Sequence, residues 1–180
     1  MTPLVELQFG REPLRRLFAG FIEQVFQVQI GLCDTALTDY LGELLTDFVH
    51  VERIQRLKLV DSDIIREASR LEAEAVLRDQ TNPSRRRRLI NKFVGDYTLF
   101  WTGVYPEQLR PRQQGGVDRL DAYLVQGRRS YGIASELTGP EDLPPGEVLR
   151  ALSENFECCV HGLHLVRASW ERTAKGDGLN

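Results

Sequence analysis

The sequence predicts an all-α fold: a single-domain six-helix bundle with a central, nearly all-apolar fourth helix. Two observations carry that expectation. Apolar residues recur at alternating three- and four-residue steps along most of the 180-residue chain, the spacing that lines up side chains on one face of a helix. The stretch F-V-G-D-Y-T-L-F-W-T-G-V-Y, Phe93 to Tyr105, is apolar nearly all round, as the buried centre of a larger helical fold is. Strand-like alternation is confined to Val5, Leu7 and Phe9.

Residues 1–12 read as an extended N-terminal arm, 13–173 as the bundle and 174–180 as a frayed tail. The first helix carries Leu14, Phe18, Phe21, Val25, Val28 and Leu32 in one register, with Pro13 at a first helical position. Leu37, Leu41, Leu44, Phe48 and Val51 form the second, capped by Asp34 or Thr35. Ile64, Ala68, Leu71 and Ala75 form a weaker third, starting at Asp61 or Ser62. The fourth runs through Ile90, Phe93, Tyr97, Phe100 and Val104, between Pro83 and Pro106. The fifth holds Val117, Leu120, Leu124, Gly127, Tyr131 and Ala134, entered through Gly115–Gly116. The breaker G-P-E-D-L-P-P-G precedes a sixth through Leu149, Leu152, Phe156, Cys159, Leu163, Val166 and Trp170. Short connections make sequential helices antiparallel neighbours.

Hydrophobic content of 42% supports a core at this length. A net charge of −3 gives no global attraction to nucleic acid or membrane. No run approaches the roughly 20 apolar residues of a membrane span. The N-terminus lacks a basic flank followed by an apolar core. Cys33, Cys158 and Cys159 are few and odd in number, and adjacent cysteines are a poor disulfide pair. The expected location is the cytoplasm.

The fourth helix holds one carboxylate, Asp96, on the flank of its apolar arc. A buried carboxylate needs a paired charge or several donors. Arg128 falls on the flank of the fifth helix's stripe and is its expected partner, with tyrosine hydroxyls as the other option. Gly95, Leu99 and Gly103 lie opposite the main arc at four-residue spacing, which lets another backbone approach closely. A close crossing near Gly103 and Gly127 is expected.

Gly95–Leu109 (G-D-Y-T-L-F-W-T-G-V-Y-P-E-Q-L), Tyr123–Ser135 (Y-L-V-Q-G-R-R-S-Y-G-I-A-S) and Tyr40–Val49 (Y-L-G-E-L-L-T-D-F-V) resemble blocks of a family of uncharacterised bacterial helical proteins. The resemblance covers about half of the chain. It implies a bacterial origin and no activity.

Three clusters invite chemistry. Glu154, Glu157, His161 and His164 lie within about 80° of one another on a helical wheel, a pattern able to ligate zinc or iron. The stripe from Leu149 to Trp170 is centred opposite, so this row is expected to face water without metal. Cys158 and Cys159 point about 100° apart, and Cys159 takes a core position. Arg85, Arg86, Arg87 and Arg88 sit in a first helical turn, where anions bind; pairing with Glu72, Glu74 and Asp79 is the plainer account.

The leading functional reading is a non-enzymatic binding or assembly protein without cofactor. The first helix and the arm together carry more apolar surface than a bundle corner needs, which suggests a homodimer through them. One alternative is a helical enzyme or ligand-binding protein with a pocket at Asp96, Tyr97, Trp101, Arg128 and Tyr131. The other is anion or nucleic-acid binding through Arg85–Arg88.

Overall fold

The structure, a computed structural model, describes residues 11–49, 82–110, 116 and 118–176. All regular elements among them are helical. They are α1 (Arg11–Glu23), running directly into a π-helical segment (Gln24–Ile30), α2 (Thr35–Val49), α3 (Pro83–Val104), a 3-10 turn (Pro106–Gln108), α4 (Leu120–Glu136), α5 (Gly146–Glu154) and α6 (Phe156–Gly176). Six α-helices are thus described, as the periodicity predicts, though not the same six. The expected third helix and the arm lie outside the described residues. The expected sixth helix is two, α5 and α6, interrupted at Asn155. The Asn155 side-chain amide donates to the Ala151 carbonyl at 2.9 Å. Such local side-chain bonds compete with the helical ladder.

The chain divides into two compact units. Among the described residues, the first holds α1, the π segment, α2 and α6 from His161 onward. The second holds α3, the 3-10 turn, α4, α5 and the start of α6 up to Val160.

In the first unit α1 packs on α2. Leu14, Phe18 and Ile22 give α1 its buried face, and Leu37, Leu41, Leu44, Leu45 and Phe48 give α2 its own. Asp34 caps α2 as expected, its Oδ1 accepting from the Leu37 amide at 3.0 Å. On the outside, Arg11 reaches Glu43 and Asp47, and Arg15 reaches Glu43. These pairs are exposed and screened by solvent, so they add little to stability. The Arg15 guanidinium, with Arg16, holds the Glu12 carboxyl below its usual range.

The expected register of the first helix holds only in part. Leu14, Phe18 and Val25 are buried, but so are Ile22 and Phe26, while Val28 is 69% exposed. Ile22 continues the Leu14–Phe18 face at four-residue steps within α1, and beyond it the wider turn of the π segment shifts Phe26 and Val28 relative to an α-helical wheel. It ends at Gly31, in the left-handed region at φ 81, whose amide donates to the Phe26 carbonyl. That conformation favours glycine.

In the second unit α3 is the central element. Every residue from Val94 to Val104 is buried. Asn82 caps the helix by accepting from the Arg85 amide at 3.1 Å, and Pro83 follows. Burial sets in late: Leu89 is 49% and Phe93 53% exposed. The expectation that Phe93 is buried is therefore corrected. Periodicity finds the apolar arc, but not the turn at which the helix enters the core. Tyr97, Phe100 and Val104 are buried as expected, and so is Tyr131 on α4, whereas Leu120 and Leu124 are half-buried.

Candidate functional site

Two regions have the makings of a site, and they are built differently. The first is the seam between α3 and α4 in the second unit. The Asp96 carboxylate accepts from Lys92 Nζ at 2.7 Å and from the Tyr131 hydroxyl at 2.8 Å. Lys92 lies one turn earlier on the same helix, where side chains at i and i+4 meet. The tyrosine cap was among the sequence expectations; pairing with Arg128 is not what forms. Arg128 is exposed on α4, and its carbonyl accepts from Ser153 Oγ at 2.8 Å. Of the five expected pocket residues, Asp96 and Tyr131 meet directly, and the Tyr97 and Trp101 rings lie tilted to one another with centroids 6.2 Å apart. Arg128 is exposed and takes part in neither contact.

Glycines close this seam. A methyl group at Gly95 would sit 2.7 Å from the Tyr131 ring, and one at Gly127 would collide with the Phe156 ring and the Thr98 hydroxyl. The close approach at Gly127 is thus to side chains of α3 and α6, where Gly103 was the expected neighbour. Thr98 and Thr102 satisfy their buried hydroxyls within α3, on the Val94 and Thr98 carbonyls at 2.7 Å each. The Tyr97 hydroxyl lies beside Tyr123 and Trp101 yet meets neither in hydrogen-bond geometry, and the Trp101 indole N–H is likewise unpaired. Burial pushes the Tyr97 phenol well above its usual range, with Tyr123 adding to the effect. The seam holds its polar groups by packing around them.

The arginine run divides. Arg85, Arg86 and Arg87 are exposed, whereas Arg88 is buried and turned toward the loop before α5. Its Nη2 donates to the Leu143 carbonyl at 3.4 Å and lies 3.5 Å from Asp142 Oδ1. Nε and Nη1 have no hydrogen-bond partner. The four arginines are therefore not one surface patch. The expected partners Glu72, Glu74 and Asp79 lie outside the described residues.

Glu154, Glu157, His161 and His164 are all exposed, as their place opposite the apolar stripe predicts. The break at Asn155 also puts Glu154 on a different helix from the other three. Among the described residues no group of three or more His, Cys, Asp or Glu could hold a metal ion. Cys159 is buried and Cys158 half-buried, and neither forms a disulfide.

The second region is a half-open groove of about 390 Å³ between α1 and α2. Its lining includes Ala19, Ile22 and Gly42, with Glu23, Asp39 and Gln27 among the polar groups. Ile22 and Gly42 are buried there, and the Gly42 Cα faces the Ile22 side chain. Gln27 comes from the π segment, whose wide turn begins directly after Glu23. Such turns are rare and often mark functional sites.

Sequence reading missed this groove. The signal was present in part: Y-L-G-E-L-L places a glycine inside an otherwise strong helical stripe. The π turn that carries Gln27 has no periodicity of its own to reveal it. Comparison with protein-family models, curated proteins and solved structures returned no match to this chain. No described helix is long and apolar enough to cross a membrane.

Proposed function

We propose that this is a non-enzymatic binding protein whose ligand site is the groove between α1 and α2. The observation that carries the reading is Gly42. A methyl group built there meets one atom within 4 Å, Ile22 Cδ1 at 3.9 Å, an ordinary contact. Packing therefore does not require the glycine, although glycine weakens a helix interior by about 1 kcal/mol relative to alanine. Its effect is to keep the groove floor empty. The volume lies within the usual range for small-molecule sites.

Amide-resolved NMR with a small-fragment set tests this reading. Shifts confined to Ala19, Ile22, Gln27, Thr38 and Gly42 are expected. Shifts clustered around Asp96 and Tyr97, or none at all, contradict it.

The homodimer reading has less support. Phe18, Phe21, Ile22, Val25, Phe26, Val28 and Ile30, with the arm, suggested spare apolar surface. Phe18, Ile22, Val25 and Phe26 are buried, with Phe18 edge-on to Trp170 at 5.0 Å and the Phe26 ring over Gly162. Phe21 and Ile30 are half-buried, and the arm lies outside the described residues. Val28 is what the first helix leaves exposed at 69%.

A further inference from the structure

We propose that the second unit binds a second copy of this chain: the α3 face around Leu89 and Phe93 receives the acidic segment 141–147 of the partner, and the reverse. This contact is independent of the groove, so either reading can fail without the other. It also moves self-association away from the first helix, where the burial of Phe18 and Ile22 argues against it. Leu89 is 49%, Phe93 53% and Leu143 80% exposed. On a helical wheel Arg85, Arg86, Leu89 and Phe93 lie within about 100° of one another, the two apolar side chains between the directions of the two arginines. All four are exposed. Lys92, on the same edge, is held by Asp96 at 2.7 Å. Among the described residues, the Arg85 and Arg86 guanidinium groups have no ion-pair or hydrogen-bond partner.

The loop before α5 carries the opposite charge. Leu143 stands in the chain between Glu141 and Glu147, both exposed and both without a partner among the described residues. Asp142 is taken by Arg88 of its own chain, at 3.5 Å. Arg88 leaves α3 about 60° beyond Arg85 and donates to the Leu143 carbonyl at 3.4 Å. The loop backbone is therefore fastened beside the α3 face, while the Leu143 side chain goes to solvent and not onto that face. Complementary elements side by side on one chain suit a two-fold contact, in which each meets its counterpart and the contact occurs twice. Arginine and aromatic side chains are enriched in such interfaces, and opposite charges across them fix the register. A chain of net charge −3 is not drawn as a whole to an anionic membrane, which leaves the acidic segment as the complementary surface.

Sedimentation equilibrium on the full chain tests this. The parent should dimerise with a Kd of about 10–100 µM, the range of a small transient contact, and salt at about 0.5 M should weaken it severalfold. Arg85→Glu/Arg86→Glu and Glu141→Arg/Glu147→Arg should each be monomeric with an unchanged thermal midpoint, since all four side chains are exposed. An equimolar mixture of the two variants should restore the dimer, because the reversed charges then face one another in both contacts. Leu143→Ser should weaken the parent dimer about tenfold without altering the charges. A mixture that stays monomeric overturns the pairing, and a dimer unmoved by all three variants overturns the surface. A parent that is monomeric at about 500 µM overturns the second copy. In that monomer, binding to phosphatidylserine vesicles that Arg85→Glu/Arg86→Glu abolishes would assign the face to anionic lipid. Nuclear Overhauser contacts from Phe93 to residues 50–81 would assign it to the chain's own segment.

Discussion

The α3–α4 seam and the α1–α2 pair both carry glycine inside a helix, and the two glycine sets do opposite things. At Gly95 and Gly127 an added methyl group has nowhere to go, because aromatic rings and a threonine hydroxyl occupy the space. At Gly42 a methyl group fits. The first set lets helices close upon one another; the second leaves a hollow between them. Polar groups follow the same division. Asp96 is wrapped by Lys92 and Tyr131 inside the seam, while Glu23 and Asp39 line the groove with no described partner. The same residue type thus marks structure in one unit and accessible space in the other, and only its neighbours tell which.

The largest expected effect comes from filling the closed seam. Gly127→Ala should destabilise by about 2–3 kcal/mol, the upper range for overpacking a core, because both the Phe156 ring and Thr98 must move. Denaturant melts measure it. A stable Gly127→Ala protein would mean that the seam yields, and the contrast with Gly42 would weaken.

Breaking the Asp96 cluster should come next. Asp96→Asn is expected to cost about 2 kcal/mol, below the 3–5 kcal/mol typical of a deeply buried pair, because Lys92 keeps a 26% exposed side chain and can return to water. Tyr131→Phe should cost about 1.5 kcal/mol for its bond to a charged group. The two losses should be less than additive in a double mutant, since both act on one carboxylate.

This cluster also shows how far the sequence could be read. Asp96 is recognisable from its place among apolar neighbours, and a tyrosine cap follows from the need for donors. Lys92 was legible too, four residues back on the same helix. Arg128 was expected instead from its place on the flank of the facing helix's stripe, whereas the i,i+4 neighbour on the same helix is what pairs. Helical class and the Asp34 cap follow from local spacing and side-chain chemistry. The break at Asn155 and the π turn do not, since the apolar stripe continues across both. The groove was illegible for a related reason: it depends on where two helices fail to touch, and periodicity reports only where they do.

A smaller effect belongs to the unpaired Tyr97 hydroxyl. Replacing an unsatisfied buried group by one of the same shape is nearly neutral or stabilising. Tyr97→Phe should therefore change stability by no more than about 0.5 kcal/mol at neutral pH. The phenol is raised above its ordinary 10.0 by burial. The unfolded chain consequently releases that proton first, so stability is whole below pH 10 and falls as the pH climbs beyond it. Melts at about pH 11 should show a smaller alkaline loss for Tyr97→Phe than for the parent. An equal loss in both would place the alkaline sensitivity elsewhere.

The most direct test of the contrast is one substitution read two ways. Gly42→Ala, measured for thermal midpoint and for affinity toward a fragment that shifts the groove amides, separates hollow from seam. The account predicts an unchanged or higher midpoint, with up to about 1 kcal/mol of added helix stability, and affinity about tenfold weaker because the floor is filled. A midpoint that falls as far as that of Gly127→Ala, or NMR-mapped groove binding that survives unchanged, would contradict it.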